Sequence, residues 1–211
     1  MANKMVISFY NDITNSTFHY WTASNKTGHT HMEVRTNKRR DHPSQPLGLD
    51  RTAGCSIKLF SHHTRIFDFI RDVQTRKLWD SVSMGNAVHV LASFNTGPDT
   101  RNSVSVLGLS NHVDFLILQE CFTDSTGSYV IFAPINHAIF QSLLCGVDPG
   151  PFPMMPSGFS ILPDVSGNVL DGTLLTLVFQ ISVKETSARS AVDTATSVVQ
   201  DTLKRIKAAV N

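Results

Sequence analysis

Over 52–60 apolar and polar positions alternate. Ala53, Cys55, Ile57 and Leu59 fall on one side, and Gly54, Ser56, Lys58 and Phe60 on the other, the period-two pattern of a half-buried strand. The period then changes. Within the charged stretch Arg65-Ile66-Phe67-Asp68-Phe69-Ile70-Arg71-Asp72 the apolar residues recur at helical spacing, which predicts a short helix over 63–73. A second short, charged segment follows, Arg76-Lys77-Leu78-Trp79-Asp80. Strand-like runs come next. The first spans 86–94, with Val88, Val90, Ala92 and Phe94 on one face, and turns at Asn95-Thr96-Gly97-Pro98-Asp99 into a partner over 103–109. Runs over 113–122 and 129–135 form another hairpin through Thr123-Asp124-Ser125-Thr126-Gly127. A short helix over 138–145 stops at Gly146, and Pro149, Pro151, Pro153 and Pro156 force an irregular segment. The last strands lie over 158–162 and 173–183.

The chain closes with a long amphipathic helix over 187–210. Ala188, Ala191, Val192, Ala195, Val198, Val199, Thr202, Leu203, Ile206, Ala209 and Val210 line its apolar stripe, while Asp193, Gln200, Asp201, Lys204 and Lys207 lie away from it. At the other end, Met5, Phe9, Ile13, Tyr20 and Trp21 place a helix over 4–21. A polar loop over 22–30, an edge strand over 32–36 and a charged loop over 37–51 connect it to the first long strand. Strand, short helices, meander and long final helix are the order of a helix-grip domain. The expected class is α+β, an antiparallel sheet packed around the C-terminal helix. Ile57, Leu59, Trp79, Leu177, Phe179, Ile181, Val199 and Leu203 are the candidate inward residues, filling a core or lining an apolar pocket.

Composition narrows the function. Of 211 residues, 41% are hydrophobic, enough for one full core. A net charge of +1 gives no electrostatic footprint for nucleic acid, and Lys38-Arg39-Arg40 reads as a solvated loop. Cys55, Cys121 and Cys145 are odd in number and widely spaced, which implies a reducing compartment and no disulfide framework. The first residues lack the apolar core of a signal peptide, no apolar run reaches membrane-spanning length, and the sequons at Asn15 and Asn25 read as chance.

Each candidate chemistry has a plainer explanation. His29-x-His31 and His62-His63 lack an acid or cysteine at ligand spacing, so no metal is expected. Gly108-Leu109-Ser110 begins like a nucleophile elbow but lacks the second glycine, and a hairpin turn explains it. Asp68, Asp72 and Asp80 near Arg65, Arg71 and Arg76 read as helix-surface ion pairs. Trp79 reads as a core residue locking the short helices onto the sheet, or as the mouth of a pocket. Nothing assembles an acid–base or nucleophile set, so no enzyme and no cofactor are expected.

Read in order, Val6-Ile7-Ser8-Phe9, Phe67-Asp68-Phe69-Ile70-Arg71-Asp72, Trp79-Asp80, Leu116-Ile117-Leu118-Gln119-Glu120, Ile131-Phe132-Ala133-Pro134, Pro156-Ser157-Gly158-Phe159-Ser160-Ile161-Leu162-Pro163-Asp164, Leu174-Leu175-Thr176 and Phe179-Gln180-Ile181 carry a resemblance. The chain resembles the C-terminal region, after the START domain, of plant class IV homeodomain-leucine zipper transcription factors. The resemblance implies a START-like helix-grip fold in a nuclear regulator of epidermal and trichome cell fate. It implies that residues 1–21 are a connector helix continuing from a preceding START domain, and that 22–211 are the START-adjacent domain. DNA contact is then left to a homeodomain absent from this chain. Two departures stand out: Lys58 replaces a tryptophan usual in the family, and the insertion after Asp164 shrinks to Val165-Ser166-Gly167-Asn168, a tighter hairpin.

Two functions compete. One is a regulatory module for self-association, a homodimer included, or for protein partner binding. Its surface would be Phe152, Met154 and Met155 of the proline-rich segment. The other is a module that holds a lipid or another apolar ligand between the sheet and the last helix. Neither needs a membrane. Cavity volume separates them: a filled core favours the first, and an opening of about 300 Å³ or more the second. The size of the inward side chains predicts a filled core.

Overall fold

The computed structural model describes residues 1–14, 22–23, 31–38, 49–81, 83, 85–110, 112–148, 154–164, 172–183 and 188–210. Helix α1 (Ala2–Thr14) precedes strands β1 (Thr22–Ala23), β2 (His31–Lys38) and β3 (Leu49–Leu59). Two short helices follow, α2 (His63–Arg71) and α3 (Val73–Trp79). The meander comprises β4 (Val88–Asn95), β5 (Ser103–Leu109), β6 (His112–Thr123) and β7 (Ser128–Ile135). Then come α4 (His137–Leu144), β8 (Ser157–Pro163), β9 (Thr173–Val183) and α5 (Ala188–Val210).

All nine strands join one sheet in the order β1-β2-β3-β9-β8-β7-β6-β5-β4. Every adjacent pair is antiparallel. Local chemistry explains the meander. At the β6–β7 turn the Asp124 carboxylate accepts N–H bonds from Thr126 and Gly127 at 2.7 and 3.1 Å, a side-chain mimic of a backbone turn. After α4, Gly146 takes φ 68°, the left-handed conformation that stops a helix. The last strand then pairs with β3, Leu59 opposite Thr173 and Leu49 opposite Val183, so the strand before the short helices and the last strand meet in mid-sheet.

The sheet carries helices on both faces. On the inner face, α5 packs across β3 and β9, with α2 and α3 beside it. Ala53, Leu59, Ile66, Phe67, Trp79, Phe159, Leu177, Val199, Leu203 and Ile206 form its core. The stripe expected on the last helix is largely as read: Ala195, Val199 and Ile206 are fully buried, and Asp193, Gln200, Asp201, Lys204 and Lys207 are exposed. Ala209 is the departure, facing solvent. On the outer face Met5 and Phe9 of α1 are buried against β6 and β7 with Ile131, Leu118 and Tyr129. Gly158 permits this close approach. A Cβ there would lie 2.7 Å from the Val130 carbonyl oxygen and 3.1 Å from the Phe9 ring.

Several expectations need correction. Helix α1 is described only to Thr14, so Tyr20 and Trp21 lie outside the described residues. The segment read as an edge strand runs over His31–Lys38 and is covered by β1, which pairs with it inside the stretch read as loop. Strand β3 starts at Leu49, inside the expected charged loop, and 39–48 lie outside the described residues. The apolar face read on β4 is mostly exposed: Val88 is buried, but Val90 and Phe94 are 48% and 64% exposed. This strand is the sheet edge and its register shifts between Val90 and Ala92. A bulge of that kind turns alternate side chains away from the packed face.

Candidate functional site

The inner-face site begins with a helix junction. Asp72 adopts extended backbone angles, ends α2, and caps α3 by accepting the Gln74 N–H at 2.9 Å. That cap aims α3 so that Arg76, Trp79 and Asp80 point at the sheet, each 4% exposed or less. Expected as a surface contact, the Arg76–Asp80 pair is instead buried, with Nε 2.8 Å from Oδ2. By contrast the Asp68–Arg71 pair, at 3.0 Å, does lie on the helix surface.

Burying an ion pair is tolerable only when its remaining polar atoms are satisfied. Here most are. Arg76 Nη1 donates to Gln119 Oε1 at 2.5 Å, and Gln119 Nε2 donates to the Arg71 carbonyl at 3.3 Å. Asp80 Oδ1 accepts the Ser83 N–H at 3.3 Å. The guanidinium also lies over the rings of Phe132 and Trp79, at 4.6 and 5.0 Å. One nitrogen is left over: Arg76 Nη2 is buried and has no hydrogen-bond partner.

Beside this pair opens a cavity of about 320 Å³. Its walls come from β6 (Ile117), β7 (Phe132, Pro134), β9 (Phe179, Ile181) and Met155, with Arg76 and Asp80 at one side. The wall is mostly apolar, with one charged pair and the uncharged polar residues Ser83, Ser157 and Gln180, and the filled core expected from side-chain size is incomplete. Leu59, Leu177, Val199 and Leu203 are buried together, whereas Phe179 and Ile181 are only partly buried and border the cavity. Ile57 is half-buried against the same core. Trp79 is 1% exposed, edge-on to Phe159 at 5.2 Å, and is core rather than pocket mouth. Of the proline-rich trio, Met154 packs half-buried against the outer-face cluster and Met155 borders the cavity; Phe152 lies outside the described residues.

Sequence reasoning did not pick out Arg76 and Gln119 as candidate site residues. The available signal was Gln119 itself, a polar residue ending the apolar run 115–118 in mid-strand. A buried amide needs a partner, and a buried arginine can be one.

The remaining candidates fall into structural roles. His62 caps α2, its Nδ1 accepting the Thr64 N–H at 3.3 Å, and its ring lies 4.2 Å from that of His63. Burial, aided by His62, lowers the His63 pKa. His29 lies outside the described residues, among which no group of three or more metal-ligating side chains comes together. Ser110 donates its hydroxyl to the Ala87 carbonyl at 3.0 Å, at the end of the β5–β6 hairpin. Burial pushes the thiols of Cys55 and Cys121 up to about 11 and about 12, so both are protonated at neutral pH and poor nucleophiles. Lys58, the departure from the family pattern, reaches Asp164 at 3.1 Å.

A family model described as PDF2-like, C-terminal domain, matches residues 1–211. Homeobox-leucine zipper protein GLABRA 2 of Arabidopsis thaliana is 34% identical over 98% of this chain and 30% of its own length. Homeobox-leucine zipper protein HDG10 of the same plant is 36% identical over 90% of this chain and 28% of its own. Homeobox-leucine zipper protein ROC8 of Oryza sativa subsp. japonica is 31% identical over 100% and 34%. The chain thus spans about a third of the length of the curated relatives it matches. Among solved structures, protein Ms6760 from Mycobacterium smegmatis is 12% identical with a TM-score of 0.42, covering 76% of this chain and 90% of that one. That likeness is too distant to bear on fold or function.

Proposed function

The chain belongs to the PDF2-like C-terminal domain family, and on that premise we propose that it is a non-catalytic regulatory module of a plant class IV homeodomain-leucine zipper factor that takes up an apolar ligand. In this reading the scaffold is a START-like helix grip. The support is the element order: β3, two short helices, the six strands β4–β9 with α4 between β7 and β8, and a long helix, with β3 paired to β9. Residues 1–21 act as the connector from a START domain, with α1 docked on the outer face of the domain formed by 22–211. The module works in the nucleus, in epidermal or trichome cell fate, and leaves DNA contact to a homeodomain. Among the described residues no helix is long and apolar enough to cross a membrane.

The observation that carries the ligand reading is the cavity of about 320 Å³ walled by Phe132, Phe179 and Ile181. Ligand sites run from about 300 to 1,000 Å³ with mostly apolar walls and a few placed polar groups. Anything that binds only the folded state stabilises it by mass action. The expected result is a concentration-dependent rise in melting temperature with naphthalene, lost in an Ile181→Trp variant that fills the cavity. No rise for the wild-type chain at the solubility limit rejects the reading.

A second reading, contact with another copy or a protein partner, draws support from the edge strand β4. There Val90, Leu91 and Phe94 are 48%, 43% and 64% exposed. Tethering through a zipper raises the effective concentration of two copies to about millimolar, enough to occupy a weak contact. Sedimentation of the chain across a concentration series, alone and with Phe94→Ser, checks this. The paired change Phe152→Ser and Met154→Ser checks the proline-rich segment in the same way.

A further inference from the structure

We infer that the cavity selects an uncharged apolar molecule carrying one hydrogen-bond acceptor, such as a carbonyl, which Arg76 Nη2 receives. The inference rests on the ligand reading above and adds the chemistry of the ligand. Three observations bear on Arg76, which borders the cavity. The cavity wall is mostly apolar, with Ser83, Ser157 and Gln180 as uncharged polar residues and Arg76 and Asp80 as its charged pair. Arg76 is 1% exposed and held from three sides, by Asp80, by Gln119 and by the rings of Phe132 and Trp79. Its Nη2 is buried and lacks a partner. An unsatisfied donor on a charged group in an apolar surround is costly, and an acceptor brought by a ligand removes that cost.

The charge balance decides which acceptor. Asp80 already offsets the guanidinium at 2.8 Å. A ligand carboxylate would leave a net negative charge in an apolar cavity, next to the Asp80 carboxylate. Burying an unpaired charge costs more than a single hydrogen bond returns. A carbonyl or ether oxygen accepts the same N–H without adding charge. The fixed guanidinium also sets the position of that oxygen, since its donors form a rigid planar fork.

Three molecules of nearly equal shape separate the possibilities on the wild-type 211-residue chain. They are 2-acetylnaphthalene, with a carbonyl; 2-ethylnaphthalene, with none; and 2-naphthoate, with a carboxylate. Affinities come from fluorescence titration or calorimetry. The expected order puts 2-acetylnaphthalene about tenfold tighter than 2-ethylnaphthalene, as one charge-assisted hydrogen bond gives, and puts 2-naphthoate weakest. Equal affinity for the ketone and the hydrocarbon overturns the inference while the pocket stands. Tightest binding by 2-naphthoate overturns the charge argument. No binding by any of the three at its solubility limit overturns the pocket itself. In Arg76→Lys, which keeps the charge and removes Nη2, the ketone should lose its advantage and the hydrocarbon should bind as before. The ligand series is read on the wild-type chain, so it decides even if that variant folds poorly. Ile181→Trp should abolish binding of the ketone and the hydrocarbon alike; unchanged affinity for both would place them elsewhere.

Discussion

Leu177 and Phe179 stand two residues apart on β9 and pack toward the same core, yet their surroundings differ. Leu177 is buried under α5 with Leu59, Val199 and Leu203. Phe179 is half-buried and borders the cavity with Ile181. The cover differs in length. Helix α5 has 23 residues, about 35 Å at 1.5 Å per residue, whereas α3 has seven, about 10 Å. A long helix buries a continuous row of side chains; a short one delivers Arg76 and Asp80 to one point and leaves an opening beside them. One sheet face thus holds a packed half that fixes the fold and a half that borders a cavity of about 320 Å³.

The sharpest way to break this comparison is to place a charge in the packed half. Leu203 is 5% exposed in mid-stripe, and a buried unpaired carboxylate costs several kcal/mol against a total stability of about 5–15 kcal/mol. Leu203→Asp should therefore leave the chain largely unfolded. Its exposed neighbour Lys204, changed to alanine, should shift stability by about 0.5 kcal/mol or less. Denaturant melts of the two variants compare them, and equal shifts would mean that the helix face is wrongly assigned.

Asp80→Ala is next in size. It strands the Arg76 guanidinium, which stays 1% exposed, without its 2.8 Å partner. Removing one member of a buried pair costs about 3–5 kcal/mol. Arg71, paired with Asp68 on the surface at 3.0 Å, should cost about 1 kcal/mol or less when changed to alanine. A loss for Asp80→Ala as small as that for Arg71→Ala would show that the guanidinium reaches water in solution.

Truncating the two halves sharpens the contrast further. Leu177→Ala should cost about 2–5 kcal/mol, since the packed half cannot close around the void. Ile181→Ala enlarges an existing opening beside a half-buried residue and should cost about 1 kcal/mol. Similar losses would mean that both halves are packed alike.

The packed half was the legible one. Alternation over Ala53–Leu59 and the stripe through Ala195, Val199 and Ile206 follow from burial on one side, so period alone locates them. The open half was not legible, because it depends on contacts distant in sequence. Arg76 meets Gln119 43 positions away, and helix spacing sees only Asp80, which reads as a surface pair. Edge strand β4 failed for another reason: its apolar residues alternate correctly, but the bulge at Val90–Ala92 and the missing neighbour leave them in solvent. The α+β outline came from element order, whereas the cavity lies beside a helix too short to cover the sheet, which no single residue announces.

The smallest expected effect concerns a buried charge that lacks the compensation of Arg76. Glu120 sits beside Gln119 on β6 but alternates to the outer face, opposite Ile131 and under α1. One of its carboxylate oxygens is buried without a partner. Burial raises its pKa, against a smaller lowering pull from the amino-terminal charge. The neutral form is thus favoured on folding. Its contribution to stability is present below the ordinary glutamate pKa and is lost as pH rises through the raised value. Glutamine keeps the neutral shape at every pH. Glu120→Gln should melt with the wild type near pH 4 and slightly above it near pH 8, the gap opening as the wild-type carboxyl ionises. A gap of the same size at both pH values would show that the carboxyl titrates as it does in the unfolded chain. A gap of opposite sign would show that the ionised form makes a contact worth keeping on the outer face, as Asp80 does on the inner one.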